Sequence, residues 1–234
     1  MTLIFITFGS HNNFIDAGNR LIMQANSLNI FDKIILYTGE DLKKDDIFWK
    51  EHQNFIEKNK RGYGYWLWKP YLIKKTIEQM KDGDILLYLD CGCEIDIREK
   101  DFLLKCLDTV KKNKIITTKT CIEEEWNKMD LIEKLDMKHD KYLKTSQCAP
   151  GASLFLVCKE TCDLINEWYE LGRNYHNIDD TPSISKNLDC FKEHRHDQSI
   201  FSLLMKKHNL YRNNSLRDKC IKTLRNKTGV SNIK

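Results

Sequence analysis

The chain has 234 residues, 41% apolar and 31% charged, with a mean hydropathy of −0.55 and only 3 prolines. That length holds one large domain or two small ones with a real core, and the balance excludes collagen-like, Pro/Gly-rich and broadly disordered chains. No run approaches the ~18 consecutive apolar residues of a membrane helix. The apolar opening, residues 1–7, lacks a basic head and a small-residue cleavage site, so it reads as a strand and not a signal peptide.

The net charge of +4 hides an asymmetry. From Met205 onward there are nine Lys/Arg and one acid, a balance of +8, which leaves −4 for the rest. Such a tail suits nucleic acid, an anionic membrane surface or a phosphate-bearing ligand, and a solvated terminus is the plainer reading. The 9 cysteines are odd in number and lack paired zinc-site spacing, as in Cys91-x-Cys93 and Cys158-x3-Cys162. With two sequons, at Asn213 and Asn226, but no secretory signal, they read as reduced thiols in a cytosol-like compartment.

Residues 3–8 are a short apolar run closed by Gly9-Ser10, a buried strand. Phe14, Ala17, Leu21, Ala25 and Leu28 then make a helical stripe. Residues 32–38 predict a second strand stopped by Gly39, and 47–56 a helix broken by Gly62-Tyr63-Gly64. Pro70 opens a further helix. After the Asp82-Gly83-Asp84 turn, residues 85–89 are the most strand-like run, with Asp90 at their end. A helix through Phe102–Val110 follows, then a strand at 114–118 and a polar helix at 123–135. The series closes with a strand at 152–157, a helix carrying Leu164, Ile165, Trp168 and Leu171, a loop at 179–188 and a helix at 197–207. Strands alternating with helices predict an α/β fold with a mostly parallel central sheet flanked by helices. In such sheets ligands bind beyond the carboxyl ends of the strands. The chain has no G-x-G-x-x-G after its first strand and no G-x-x-x-x-G-K-[ST], which argues against a dinucleotide enzyme and a P-loop NTPase.

Three segments carry chemistry. In residues 61–71, Arg61 and Lys69 bring positive charge to a helix start that already favours anions, among aromatic residues able to stack on a ring. The plainer reading makes Trp66, Trp68 and Tyr71 core anchors. In residues 85–96, Asp90 sits where a buried strand opens, a place for Mg²⁺ or Mn²⁺ bound through hard oxygen ligands, and Gly92 leaves room. The plainer reading is a capped turn. In residues 193–199, His194, Arg195, His196, Asp197 and Gln198 offer a base or a donor to phosphate, although Asp197 also reads as a helix N-cap.

Taken in order, these segments resemble nucleotide-sugar-dependent glycosyltransferases of the GT-A fold, and more narrowly a group found in bacterial polysaccharide clusters and large DNA viruses. The resemblance spans residues 2–208 and rests on Thr7-Phe8-Gly9, RGYGYWLWKPYLI (61–73), GDILLYLDCGCEI (83–95), APGASLFLV (149–157) and HRHDQSIFSLL (194–204). In motif order the chain is also similar to the glycogenin/bacterial galactosyltransferase family. There a D-x-D strand end, an N-x-G-containing strand start and a D-Q helix start follow one another.

The resemblance implies a Rossmann-like GT-A domain at 1–208 and a basic tail at 209–234. Thr7, Phe8 and Gly9 would receive the nucleoside. Lys69, with Trp68 beside it, would lie at the donor, where the charge of Arg61 also serves. Asp90 matches the first aspartate of D-x-D and would bind a divalent cation. Gly92 stands where the second aspartate belongs, a departure that calls either for help from Glu94 or a His or for a reaction that needs no metal. The H-x-x-G-x-x-K-P-W segment that often supplies a metal-binding His is also missing. Gly151 and Ala152 would line the sugar pocket. Asp197 and Gln198, with His196 beside them, match the pair near the anomeric carbon. The implied reaction moves a sugar, most simply a hexose from a UDP-sugar, to a hydroxyl of a glycan, lipid-linked or protein acceptor. The implied setting is the cytoplasm, the host's if the source is viral, with peripheral membrane contact through the tail and no nucleic-acid partner. The alternative is an inactive nucleotide- or glycan-binding protein on the same fold.

Overall fold

The apolar runs become strands because both of their faces are covered. Strand β1 (Leu3–Gly9) is followed by helix α1 (Asn12–Leu28), strand β2 (Lys33–Thr38) and helices α2 (Gly39–Lys43) and α3 (Asp46–Lys58). A tight turn, α4 (Gly62–Tyr65), leads into α5 (Trp68–Ile77), β3 (Ile85–Leu89), the short β4 (Glu94–Ile95) and α6 (Lys100–Asn113). Then come β5 (Ile115–Ile122), α7 (Met129–Lys134), α8 (Asp140–Leu143), β6 (Ser146–Leu156), α9 (Lys159–Arg173), α10 (His196–Lys207) and the two-residue β7 (Ile221–Lys222). The structure, a computed structural model, describes residues 1–212, 215–216 and 219–233.

The central sheet has five strands in the order β2-β1-β3-β6-β5. β1 pairs in parallel with β2 and β3, and β6 runs antiparallel to β3 and β5. Only β6 is reversed, so the molecule has the α/β architecture and mostly parallel sheet that the alternation predicts. Side chains on a strand alternate between faces. Ile4, Ile6, Phe8, Leu86 and Tyr88 therefore face the core under α5, α9 and α10, while Leu3, Phe5, Ile85, Leu87 and Leu89 face the core under α1 and α6. Covering both faces is what selects continuous apolar runs. Each fully buried Leu, Ile or Phe contributes about 1.5–3 kcal/mol.

Three stretches depart from the sequence expectation. The predicted strand at 152–157 begins earlier, at Ser146, and carries Pro150 within it. Its pairing with β5 is irregular between Ile116 and Thr118, and the Thr117 hydroxyl donates to the Ala149 carbonyl at 2.5 Å. A proline fits a strand at such an irregularity because no ladder N–H is demanded of it. The predicted helix at 123–135 survives only as a single turn at Glu123–Glu125 and as α7. The cause is Glu123, whose carboxylate turns inward to meet Lys206, the Ser202 hydroxyl and the Asn127 amide.

The third departure is the tail. Residues 221–222 pair with β4, and Leu216, Cys220 and Ile221 are buried. Arg20, itself 4% exposed, explains the docking. Its guanidinium donates to the carbonyls of Cys91, Cys93, Asn226 and Thr228. Of the two sequons, Asn213 and Asn214 lie outside the described residues. Asn226 is buried and donates to Glu94 Oε1 at 2.7 Å. All nine cysteines are free thiols. Among the described residues, no helix is long and apolar enough to cross a membrane.

Candidate functional site

Parallel pairing places the carboxyl ends of β1 and β3 side by side. Phe8 lies near the end of one and Asp90 directly follows the other. The reversed strand β6 passes this end at its middle, where Ala152 pairs with Leu89 and the Asp90 N–H donates to the Gly151 carbonyl at 2.7 Å. Two helix starts complete the site, with Lys69 in the first turn of α5 and Asp197 in the first turn of α10. The turn ahead of α5 is conformationally costly. Tyr63, Tyr65 and Trp66 have φ of 53°, 52° and 62°, interleaved with Gly62 and Gly64. Trp68 secures it by donating from Nε1 to the Gly62 carbonyl at 2.9 Å, and its ring lies 3.9 Å from that of Phe8.

Lys69 is the centre of the site. Its ammonium is buried, 3.2 Å from Asp90 Oδ1 and 3.0 Å from Asp197 Oδ2. Tyr88 donates its hydroxyl to the same Asp90 oxygen at 2.6 Å. Tyr88 and Asp90 share a face because Asp90, one residue past the end of β3, continues the alternation of the strand. Burial works against the Lys69 charge, but Asp197 and Asp90 together outweigh it and raise its pKa to about 12. Asp197 moves the other way relative to its ionised form. Burial lifts it to about 6, against the pull of Lys69 and with the repulsion of Asp90 added. The two shifts agree once the sharing is counted: one ammonium collects attraction from two carboxylates, whereas each carboxylate receives part of one ammonium and repels the other. A pKa raised that far above the ordinary carboxylate range leaves Asp197 poised to take a proton near neutral pH. The Trp168 indole donates to the Asp197 carbonyl at 2.9 Å and fixes the start of α10.

The remaining sequence candidates divide. Gly151 lies so close to Asp90 that a Cβ there would stand 2.4 Å from Oδ2, so only glycine lets the carboxylate rest against β6. Gly9 is similarly tight, a Cβ meeting the Phe14 carbonyl oxygen at 2.5 Å. Thr7, Phe8 and Ala152 are buried. The Asp90 side chain, 40% exposed, is the open edge of the triad. Gly92 is overlaid by the tail: a Cβ would stand 3.1 Å from Arg225 Cα, and its carbonyl accepts from the Asn226 N–H at 3.0 Å. Glu94, the expected helper of Asp90, points instead into the tail. There it accepts from the Asn226 amide, the Ser231 hydroxyl and the Asn232 N–H. Burial alone would raise its pKa, and these donors outweigh burial and lower it.

Arg61 does not join Lys69. It holds both oxygens of Asp180 at 3.1 Å and pairs with Glu193. Gln198 donates to Gln147 Oε1 at 2.6 Å. His194 is structural: Nδ1 accepts from the Lys128 N–H, Nε2 donates to the Asn177 carbonyl, and burial lowers its pKa to about 3. His196 is buried and stacks on Tyr65 and Trp66. Sequence reasoning missed Arg20, Gln147, Asp180 and the tail contacts, since nothing local in the chain marks a partner 51 to 208 residues away.

No protein-family model matches the chain, and no curated protein matches it. Solved structures similar to it include a glycosyltransferase involved in the glycosylation of the major capsid of PBCV-1. That match is 12% identical, covers 74% of this chain and 67% of that one, and has a TM-score of 0.42. Apo mouse xyloside xylosyltransferase 1 is also similar, at 12% identity over 89% of this chain and 82% of that one, with a TM-score of 0.44.

Proposed function

We propose that residues 1–208 form a GT-A-type glycosyltransferase that moves a sugar from a nucleoside diphosphate sugar, a UDP-hexose by preference, to a hydroxyl of a glycan, lipid-linked or protein acceptor. The observation that carries this reading is the buried Lys69 ammonium held between Asp90 and Asp197 at the carboxyl ends of the central strands. Transfer breaks the bond between the anomeric carbon and the diphosphate oxygen and forms one to the acceptor oxygen. The acceptor hydroxyl loses a proton, and negative charge grows on the leaving diphosphate. A fixed positive charge in a desolvated site stabilises that charge without reorganisation, and Lys69 supplies it. Asp197, ionised but with a raised pKa, takes the acceptor proton or steadies the positive sugar carbon. A positioned base contributes ~10²–10⁴-fold. Phe8 and Trp68 wall the nucleoside side of the site. The setting that goes with this reading is the cytoplasm.

The residues at Asp90 do not fit a divalent cation. Oδ1 already accepts from Tyr88 and faces the Lys69 ammonium, Oδ2 rests against Gly151, Gly92 brings no oxygen, and Glu94 is bonded to the tail. Hard cations need several oxygen ligands. At this position Lys69, rather than a metal ion at Asp90, carries the electrostatic role.

A thermal-shift screen of nucleotide sugars, with donor hydrolysis followed in parallel, tests the reading. One nucleoside diphosphate sugar should raise the melting temperature, because a ligand of the folded state stabilises it, and should be slowly hydrolysed. No shift and no turnover with any donor refutes it. A shift with neither hydrolysis nor transfer marks an inactive binding protein.

A further inference from the structure

We infer that Asp180, Glu193 and His196 form a binding site for a divalent first-row metal ion such as Mn²⁺. The site is separate from Asp90 and stands apart from the transferase reading. One oxygen of each carboxylate and a ring nitrogen of His196 all lie within 4.8 Å of one another. Acidic clusters of this kind are common on surfaces, and His196 is what distinguishes this one. Its Nδ1 lies 2.8 Å from the Ile178 carbonyl oxygen. A carbonyl only accepts, so Nδ1 carries the hydrogen and Nε2 holds the lone pair. That Nε2 is buried without a hydrogen-bond partner among the described residues, and it points at Asp180 Oδ1 3.7 Å away. A buried lone pair facing a carboxylate oxygen is unfavourable unless a cation lies between them.

The ring is also held in place for such a ligand. His196 has a left-handed φ of 53°, and its imidazole stacks on Tyr65 and Trp66 with centroids 5.0 and 5.3 Å away. An imidazole bonded through one nitrogen to a backbone carbonyl, with the other free, is the usual arrangement of a metal-binding histidine. One imidazole and two carboxylates suit Mn²⁺ and its first-row neighbours better than Mg²⁺ or Ca²⁺, which prefer oxygen alone. Arg61 now neutralises the two carboxylates, and an arriving ion must displace its half-exposed guanidinium, whereas at Asp90 it would have to displace the buried Lys69 ammonium.

The test is titration of the nucleotide-free full chain with Mn²⁺ alone, followed by loss of the free-ion EPR signal and by calorimetry. Mn²⁺ is the probe because the nine thiols would compete for Zn²⁺. One ion per chain is expected. Glu193→Gln and Asp180→Asn should each weaken binding at least ~10-fold, as loss of a ligand or its supporting partner does. Both positions are exposed enough for the fold to survive, which melting without metal verifies. Arg61→Gln should tighten binding several-fold, because a competing positive charge is gone; a mere salt-bridge network predicts no such gain. Asp90→Asn should leave affinity unchanged, and Mg²⁺ should compete at least ~10-fold less well. Absence of saturable binding, indifference to both carboxamide variants, loss on Asp90→Asn, or weakening on Arg61→Gln overturns the inference. None of these outcomes bears on donor binding, which is measured separately in chelator.

Discussion

Replacing Lys69 by Met removes the ammonium 3.0 Å from Asp197 and leaves a buried carboxyl without its cation. Asp197 escapes by taking up a proton. Its folded pKa of about 6 lies above the ordinary 3.8, so the folded state holds the proton more tightly. In the wild type, stability therefore falls as pH rises from 3.8 to 6 and is level above 6, at about 1.4 kcal/mol per pH unit on the slope. Without Lys69 the pKa climbs further, and the fall continues past pH 7. The Asp197 contribution to the stability gap between variant and wild type is thus small at pH 5 and widens above pH 6, where the wild type has levelled off and the variant has not, by on the order of 1 kcal/mol per pH unit until the variant's carboxyl ionises. Packing changes add an offset that is constant over this range. Urea unfolding at pH 5, 6, 7 and 8, in chelator-containing buffer, measures the gap. A gap that is flat across the series refutes the coupling of Lys69 to Asp197. Turnover in the variant should fall ~10²–10³-fold at pH 7, the loss typical of a missing charge-stabilising donor.

Asp197→Asn should lose at least ~10²-fold in turnover while the donor-induced melting shift persists; normal turnover removes Asp197 from the reaction. In the wild type, kcat/KM should decline below about pH 6, where Asp197 protonates, and a profile level down to pH 4.5 contradicts that assignment. Gly151→Ala drives a methyl against Asp90 and should cost ~1–3 kcal/mol by overpacking, with weaker donor binding read by the same melts. Arg20→Met strips the donors from four carbonyls, two in the loop after β3 and two in the tail. It should cost ~3 kcal/mol or more and expose residues 219–233 to protease first; unchanged cleavage there would show that Arg20 does not hold the tail.

What could be read from the chain follows from how local each signal is. β3 appears as predicted, because five consecutive apolar residues that follow the Asp82-Gly83-Asp84 turn are too few for a helix and suit a strand covered on both faces. The helix stripes of α1 and α9 mark real cores for the same reason. The sequence marks Lys69, Asp90, Gly151 and Asp197 as separate pieces, and the structure brings them into contact. It marks Arg61 with them, and Arg61 is held elsewhere by Asp180 and Glu193, two acids that no spacing rule connects to it. The helix expected at 123–135 illustrates the opposite failure. Its composition is helical, but the ion pair of Glu123 with Lys206 is tertiary and overrides local preference. The basic tail misleads for a similar reason. Its charge count predicts solvation, whereas its carbonyls and Asn226 find Arg20 and Glu94 in the interior.

The bond between Glu94 and Asn226 joins residues 132 positions apart. At ~5–20 residues per second of synthesis, roughly 7–26 s pass on the ribosome between making the one and making the other. Throughout that interval the loop bearing Asp90 lacks the strand, the amide and the arginine-held carbonyls that pin it down. Until residues 220–232 emerge, that loop is held by Arg20, Tyr88, Lys69 and Gly151 alone, and the tail adds the last of its restraints.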